Sequence, residues 1–297
     1  MKWLGIVNPH SGWGKRGAPL SKTLFSLKKT TPDHVLTDHS GHAEELAREA
    51  SSYDGFAIVG GDGTIFEVLN GMDFKRQALK IIPAGTGNSL ARDLGLRNTE
   101  KGVGARHQSE EIVMDLMRVS FTDKDGRDQV RISASTVALG YPATVAKEGN
   151  NHYKSFGGLC YPVAAAAVTF FQKRFRARLN YLASSHESRS LSGLVMNNTC
   201  HVANFLAFPE ASIEDGFFEV MEMCAGALKQ NLHNVSILTK TYLYAPVVLK
   251  KEKSLFVEPT TPQDLMIDGE IYPDIIRIHV EILPRQLRCH QDRMDAI

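Results

Sequence analysis

Three times in the amino-terminal part of this chain, an apolar run that reads as a buried strand stops at a turn of small residues. The clearest case is Ile58-Val59-Gly60-Gly61-Asp62-Gly63-Thr64, which leads into a helical pattern through Leu69. Asn8-Pro9-His10-Ser11-Gly12 closes the run Trp3–Val7, and Pro83-Ala84-Gly85-Thr86-Gly87-Asn88 closes a run that begins at Leu79. Strands that alternate with helices in this way build a mostly parallel sheet with helices on both faces. Ligands of such sheets bind beyond the carboxyl ends of the strands. Consecutive glycines let the backbone approach a ligand closely, and amides at a helix N-terminus attract phosphate oxygens. An ordinary strand-to-helix turn would explain any one of the three. Together they are expected to converge on one phosphate-bearing ligand, with Asp62 able to reach a magnesium ion shared with the phosphates. The chain contains no GxxxxGK[ST], so it has no P-loop.

The same pattern predicts helices over about 18–29 and 42–51, the second capped by Ser40, and strands over His34–Thr37 and Phe56–Val59. Beyond about Met114 the character changes to short β-rich segments punctuated by Asp125-Gly126, Asp215-Gly216 and Asp268-Gly269. Strands are expected at 114–121, 131–139, 178–182, 191–197, 217–223, 254–258, 264–267 and 275–282. Helical patterns are expected near 159–176 and 228–240. A chain of 297 residues accommodates two domains. The expected architecture is an α/β domain over 1–115, a mainly antiparallel β-sandwich domain over 116–285, and a tail over 286–297 that packs back on the first domain, with the site between the two domains.

Composition excludes several classes. A formal net charge of +1 gives no reason to expect nucleic-acid binding. Four cysteines without a CxxC pair argue against a disulfide framework or a zinc ribbon and for reduced thiols in a cytoplasmic protein. The apolar stretch near 159–171 is too short to span a bilayer. Its helix, followed by Lys173, Arg174, Arg176 and Arg178, reads either as lipid-facing with a basic end or as a core helix ending in cations. His34, His39 and His42 cluster in sequence without HExxH spacing and read as surface histidines.

The turns at Asn8–Gly12, Gly60–Thr64 and Pro83–Asn88, with Phe208–Phe217 and Met266-Ile267-Asp268-Gly269-Glu270 later on, resemble the diacylglycerol kinase catalytic-domain family, which includes sphingosine and ceramide kinases. The resemblance implies an ATP- and Mg2+-dependent lipid kinase working at a membrane surface, with a homodimer as one option. It implies ATP contacts at Asn8, Pro9, His10, Ser11, Gly12, Thr37, Gly60, Gly61, Asp62, Gly63, Thr64, Ile65, Phe66, Glu67, Gly85, Thr86, Gly87 and Asn88. Asp268 or Glu270 would be the general base, with Asp268 favoured, and Asp62 and Asp115 would belong to the catalytic magnesium network. Asp215, with the carbonyls of Ser212 and Phe217, resembles a second, structural magnesium site, although a hairpin turn explains that segment equally well.

Two departures bear on the substrate and the metal. Ser89 stands where many bacterial members carry an aspartate, which removes one carboxylate from the metal network. Thr144 and Ala146 stand where sphingosine kinases place acids that recognise an amine, which favours a neutral lipid such as diacylglycerol unless Glu148 substitutes. Two rival readings are an NAD kinase, which shares the GGDGT turn, and a non-catalytic nucleotide- or lipid-binding regulator.

Overall fold

The sequence Gly55–Gly60 is buried at every position, as a central parallel strand covered on both faces must be. The computed structural model describes residues 1–11, 31, 33–84, 88–95, 111–153, 160–169, 173–182, 184–202, 205–224 and 247–290. The expected helices over 18–29 and 228–240, and Gly12, Gly85, Thr86 and Gly87, lie outside the described residues. The chain divides into two units, Met1–Asp115 with Arg285–Ile297, and Leu116–Pro284.

In the first unit the elements are β1 (Trp3–Val7), β2 (His34–Leu36), α1 (His42–Glu49), β3 (Gly55–Gly60), α2 (Asp62–Gly71), β4 (Ala78–Pro83) and α3 (Ser89–Asp93). The strands lie in the order β4-β3-β1-β2 and pair in parallel, with Val7 opposite Leu36 and Val59, and Gly60 opposite Pro83. Parallel pairing in this register puts the chain leaving each strand at one edge of the sheet, which is the placement the three turns require. Arg288 and Cys289 add a further parallel pairing to β4, opposite Ala78 and Leu79. Burial pushes the Cys289 thiol up to about 12, so it stays an inert core thiol.

The cap of α1 differs from expectation. Gly41, at φ 88, is the N-cap and no side chain of its own segment caps it. The Glu67 carboxylate of α2 does the capping instead, accepting from the amides of Gly41 at 2.9 Å and Ala43 at 3.1 Å. Ser40 is therefore not the cap. A side chain from the neighbouring helix satisfies those donors.

Helices α1 and α2 meet at Gly71, where a Cβ would lie 2.2 Å from the Glu44 carbonyl oxygen and 2.9 Å from the Ala47 Cβ. A backbone atom cannot move aside as a flexible side chain can. Gly71→Ala is expected to destabilise the first unit by about 1–3 kcal/mol, read as a lower denaturation midpoint at unchanged m-value. An unchanged midpoint would contradict the packing described.

The second unit continues with β5 (Glu111–Asp123), β6 (Asp128–Ser133), β7 (Thr136–Gly140), α4 (Tyr141–His152), α5 (Cys160–Thr169), β8 (Phe175–Tyr181), β9 (Ser184–Leu191), β10 (Gly193–Asn197), β11 (His201–Val202), β12 (Phe205–Leu206), β13 (Phe218–Met223), β14 (Val247–Glu252), β15 (Ser254–Pro259), β16 (Gln263–Ile267) and β17 (Glu270–His290). One antiparallel ladder runs β14-β13-β10-β7-β16-β17, and a second leaves β17 through β15 and β8 to β9.

Several sequence expectations are corrected here. The helix expected near 159–176 ends at Thr169, and β8 begins at Phe175. Phe175, Ala177, Leu179 and Tyr181 point inward while Arg176 and Arg178 are exposed, a period-two alternation that only a strand can satisfy. These arginines therefore do not form the basic end of a helix. The strand expected over 131–139 is broken between Ser133 and Thr136. Helix α4 and strand β9 were not foreseen.

Candidate active site

The edge of the first unit is stitched together turn by turn. Thr37 donates its amide to the Val7 carbonyl at 2.9 Å, and Asn8 donates its own to Val59 at 2.9 Å. The Asn8 side-chain amide reaches the Thr64 hydroxyl at 3.1 Å, while its oxygen accepts from the His10 amide at 2.9 Å. Ala84 donates to the Gly60 carbonyl at 2.9 Å. Asn8, Thr37, Gly60, Thr64 and Ala84 are thus linked through main-chain and short side-chain bonds, and the strand ends cannot drift apart independently. Gly60 is required here, since a Cβ would sit 2.7 Å from the Thr64 side chain.

Helix α2 opens with Gly61 as N-cap and no side-chain cap, which leaves its first amides without a side-chain acceptor. Asp62, the first helical residue, turns its carboxylate toward the start of α3, where Oδ2 accepts from the Ser89 amide at 3.2 Å. Asn88, at φ 48, forms the left-handed entry to that helix. Burial pushes the Asp62 carboxyl above its ordinary range, opposed by the amides of Ser89 and Leu90 and by the Arg92 guanidinium. Its other oxygen, Oδ1, is buried without a hydrogen-bond partner. A buried carboxylate oxygen left open in this way suits a bound cation.

The remaining sequence candidates are placed differently. Glu67 is engaged in capping α1, and Ile65 and Phe66 are buried along α2. Asp115 is fully buried and accepts from the Arg285 amide at 2.7 Å. Asp215 accepts from the Phe217 amide at 3.0 Å and pairs with the Lys251 ammonium at 2.8 Å, while the Ser212 hydroxyl accepts from the Glu214 amide at 3.3 Å. A divalent ion at that turn would have to displace the lysine. Among the described residues, the one group of three or more metal-ligating side chains is Asp38, His39 and His42.

Asp268, in the second unit, sits at φ 48 between β16 and β17. Its Oδ1 accepts from the Ser133 hydroxyl at 2.8 Å and from the amides of Ser135 at 3.1 Å and Thr136 at 2.7 Å, and its Oδ2 accepts from the Ala134 amide at 2.8 Å. These donors occupy the break between β6 and β7, which explains why that strand is interrupted. Behind them Thr136 Oγ1 donates to Asn197 Oδ1 at 2.5 Å, and Ser135 Oγ lies 3.0 Å from Thr199 Oγ1. Ser133–Thr136 is the part of the site that the sequence reading missed. Its signal was the run Ser133-Ala134-Ser135-Thr136 inside a supposed strand. Glu270, two residues on, is exposed.

Burial pushes the Asp268 carboxyl up to about 6, against the pull of the amides and the hydroxyl. Because the folded value lies above the unfolded one, the native state holds more protons between about pH 4 and 6. Stability from this group is therefore gained as pH falls through that window and lost as it rises, on the order of 3 kcal/mol in all.

An apolar cluster surrounds the same turn. Met266 belongs to it and Ile271 packs against it, and both flank Asp268–Glu270. Tyr141, Ala143 and Ala146 of α4 join Phe208, Met221 and Met223 in that cluster. The Asn150 amide of α4 reaches the Gly269 carbonyl at 3.3 Å, and Lys147 pairs with Asp264 at 2.7 Å.

A parallel sheet whose turns present helix-start amides at one edge is an arrangement that suits phosphate groups. Residues 2–119 match the model of the diacylglycerol kinase catalytic domain. The match and the diacylglycerol kinase relatives indicate a lipid kinase, a phosphotransferase with an alcohol acceptor. A diacylglycerol kinase of Staphylococcus aureus (strain bovine RF122 / ET3-1) is 26% identical over 277 residues, covering 89% of this chain and 84% of the relative. One of Staphylococcus saprophyticus is 26% identical over 288 residues, covering 89% and 87%. A solved diacylglycerol kinase structure from Bacillus anthracis str. Sterne superposes with a TM-score of 0.66 at 19% identity, covering 98% of this chain and 97% of that one. Likeness at that identity establishes the fold. Among the described residues, no helix is long and apolar enough to cross a membrane.

Proposed function

We propose that the protein transfers the γ-phosphoryl group of ATP to the hydroxyl of a neutral lipid of the diacylglycerol type. The observation that carries this reading is the likeness to diacylglycerol kinases over 89% of the chain. The absence of an acid at Thr144 and Ala146 supports a substrate without an amine. Glu148 lies 3.6 Å from His152 on its own helix, so it has a partner within the chain.

Phosphoryl transfer asks the protein mainly for position and charge. The turns at Asn8–Gly12 and Gly60–Thr64, with the start of α3, would bind the triphosphate through backbone donors. Asp62 and Asp115 would hold Mg2+, which supplies charge neutralisation on the phosphate oxygens. Asp268, with Glu270 nearby, would take the proton of the attacking hydroxyl. A base whose carboxyl lies near 6 must be ionised to act. With Asp268 as base, kcat/KM is expected to fall as pH is lowered through about 6, and a kcat/KM flat from pH 7 to pH 5 would contradict the role.

The assay is direct. Purified protein with Mg2+ and γ-labelled ATP is given vesicles of total lipid extract, and the labelled products are separated. Label is expected in the phosphorylated form of a neutral lipid. Label on NAD supplied in parallel, with none on lipid, would assign an NAD kinase. Tight ATP binding with no turnover on any lipid would favour a regulator.

A further inference from the structure

We propose that Asp38, His39 and His42 form a binding site for a transition-metal dication of the zinc type, at the carboxyl end of β2. The Nδ1 atoms of both histidines converge on one oxygen, Asp38 Oδ1, at 2.5 Å from His39 and 2.6 Å from His42. The two imidazole rings stack, 4.8 Å between centroids and 8° from parallel, so both present that nitrogen to the same point. The three ligand atoms lie within 4.8 Å of one another, so small side-chain rotations would set them around an ion that takes nitrogen at about 2.0–2.1 Å.

Two features separate this group from a chance surface cluster. The first lies behind the ring of His39, where Nε2 is 3.4 Å from Glu45 Oε2. A carboxylate on the far nitrogen is the arrangement that orients and strengthens a metal-bound imidazole. The second is the backbone. The turn that carries the ligands is pinned by Glu67, through the amides of Gly41 and Ala43, so the ligands sit on a fixed frame. His42 Nδ1 is also asked to do two things, since the Asp38 amide donates to it at 3.2 Å while the Asp38 carboxylate lies 2.6 Å away. A lone pair cannot meet a donor while the same nitrogen gives a proton to the carboxylate. A cation bound by that lone pair would replace the proton between nitrogen and oxygen, with the Asp38 amide turned away from the ring.

Two imidazoles and one carboxylate select zinc, cobalt or nickel over magnesium, which prefers oxygen ligands. The site is therefore distinct in chemistry from the magnesium of the transfer reaction, and it does not depend on that assignment. It adjoins Thr37, at the same sheet edge as the nucleotide turns.

The test uses the full chain in nucleotide-free, phosphate-free buffer, with Zn2+ as the probe and calorimetry as the readout. Wild-type protein is expected to show a saturable site of micromolar Kd, weakened at least tenfold by His39→Ala and by Asp38→Ala. His152→Ala, at an exposed histidine elsewhere, is expected to leave it unchanged. Both His39 and Asp38 are exposed, so their variants are expected to fold, and far-ultraviolet circular dichroism checks this. Co2+ in place of Zn2+ is expected to give a visible absorption band that His39→Ala removes. Equal zinc affinity in wild type and both variants, or no saturable binding at all, would overturn the proposal.

Discussion

Asparagine in place of Asp268 is expected to lower lipid phosphorylation by about 10²–10⁴-fold, the range a general base supplies, while the protein stays folded. The carboxylate is an acceptor for four donors, three of them backbone amides. Asparagine keeps one oxygen and presents an NH2 where the other stood, so at least one donor loses its acceptor, at about 1–3 kcal/mol. Against this, the variant no longer carries the burial that raises the carboxyl to about 6, a relief of the same order at neutral pH. The two effects nearly offset, so lost activity reports chemistry rather than unfolding. Glu270→Gln is the companion measurement. If Glu270 were the base, the glutamine variant would lose the activity and the Asp268 variant would keep most of it.

Asp62→Asn is expected to lower kcat by about 10²–10³-fold, the scale at which a charge-stabilising group contributes. It is also expected to raise the Mg2+ needed for half-maximal rate at least tenfold. Both effects follow from the two oxygens of one carboxylate. Oδ2 ties the first turn of α2 to the start of α3 through Ser89, and Oδ1 is buried and open. An amide can keep one of these functions and cannot keep both. A magnesium titration at fixed ATP reads the result, and an unchanged magnesium dependence would remove Asp62 from the metal network.

The strand-turn-helix rhythm of the first unit was legible because each of its elements buries residues in a local, periodic pattern. Trp3–Val7 and Phe56–Val59 could be placed for that reason. What could not be read depends on residues far apart in the chain. The cap of α1 comes from Glu67, on the next helix, so Ser40 had the right chemistry and the wrong neighbour. Asp268 was singled out by its Asp-Gly turn, but its cradle at Ser133–Thr136 lies more than a hundred residues earlier. Strand β9, Ser184–Leu191, is rich in serine and charge, because pairing with β8 rather than an apolar pattern defines it. Helix α4 did carry a usable signal in Pro142 at its first turn, which the surrounding β-rich pattern masked.

The most direct test of the account is amide NMR of isotope-labelled protein titrated with ATP in magnesium. Perturbations are expected in the amides of Asn8, His10 and Ser11, of Gly61 through Thr64, and of Ser89 and Leu90, together and with one dissociation constant. ATP that bound while leaving any of these three groups undisturbed would contradict the claim that the turns at the ends of β1, β3 and β4 serve one triphosphate.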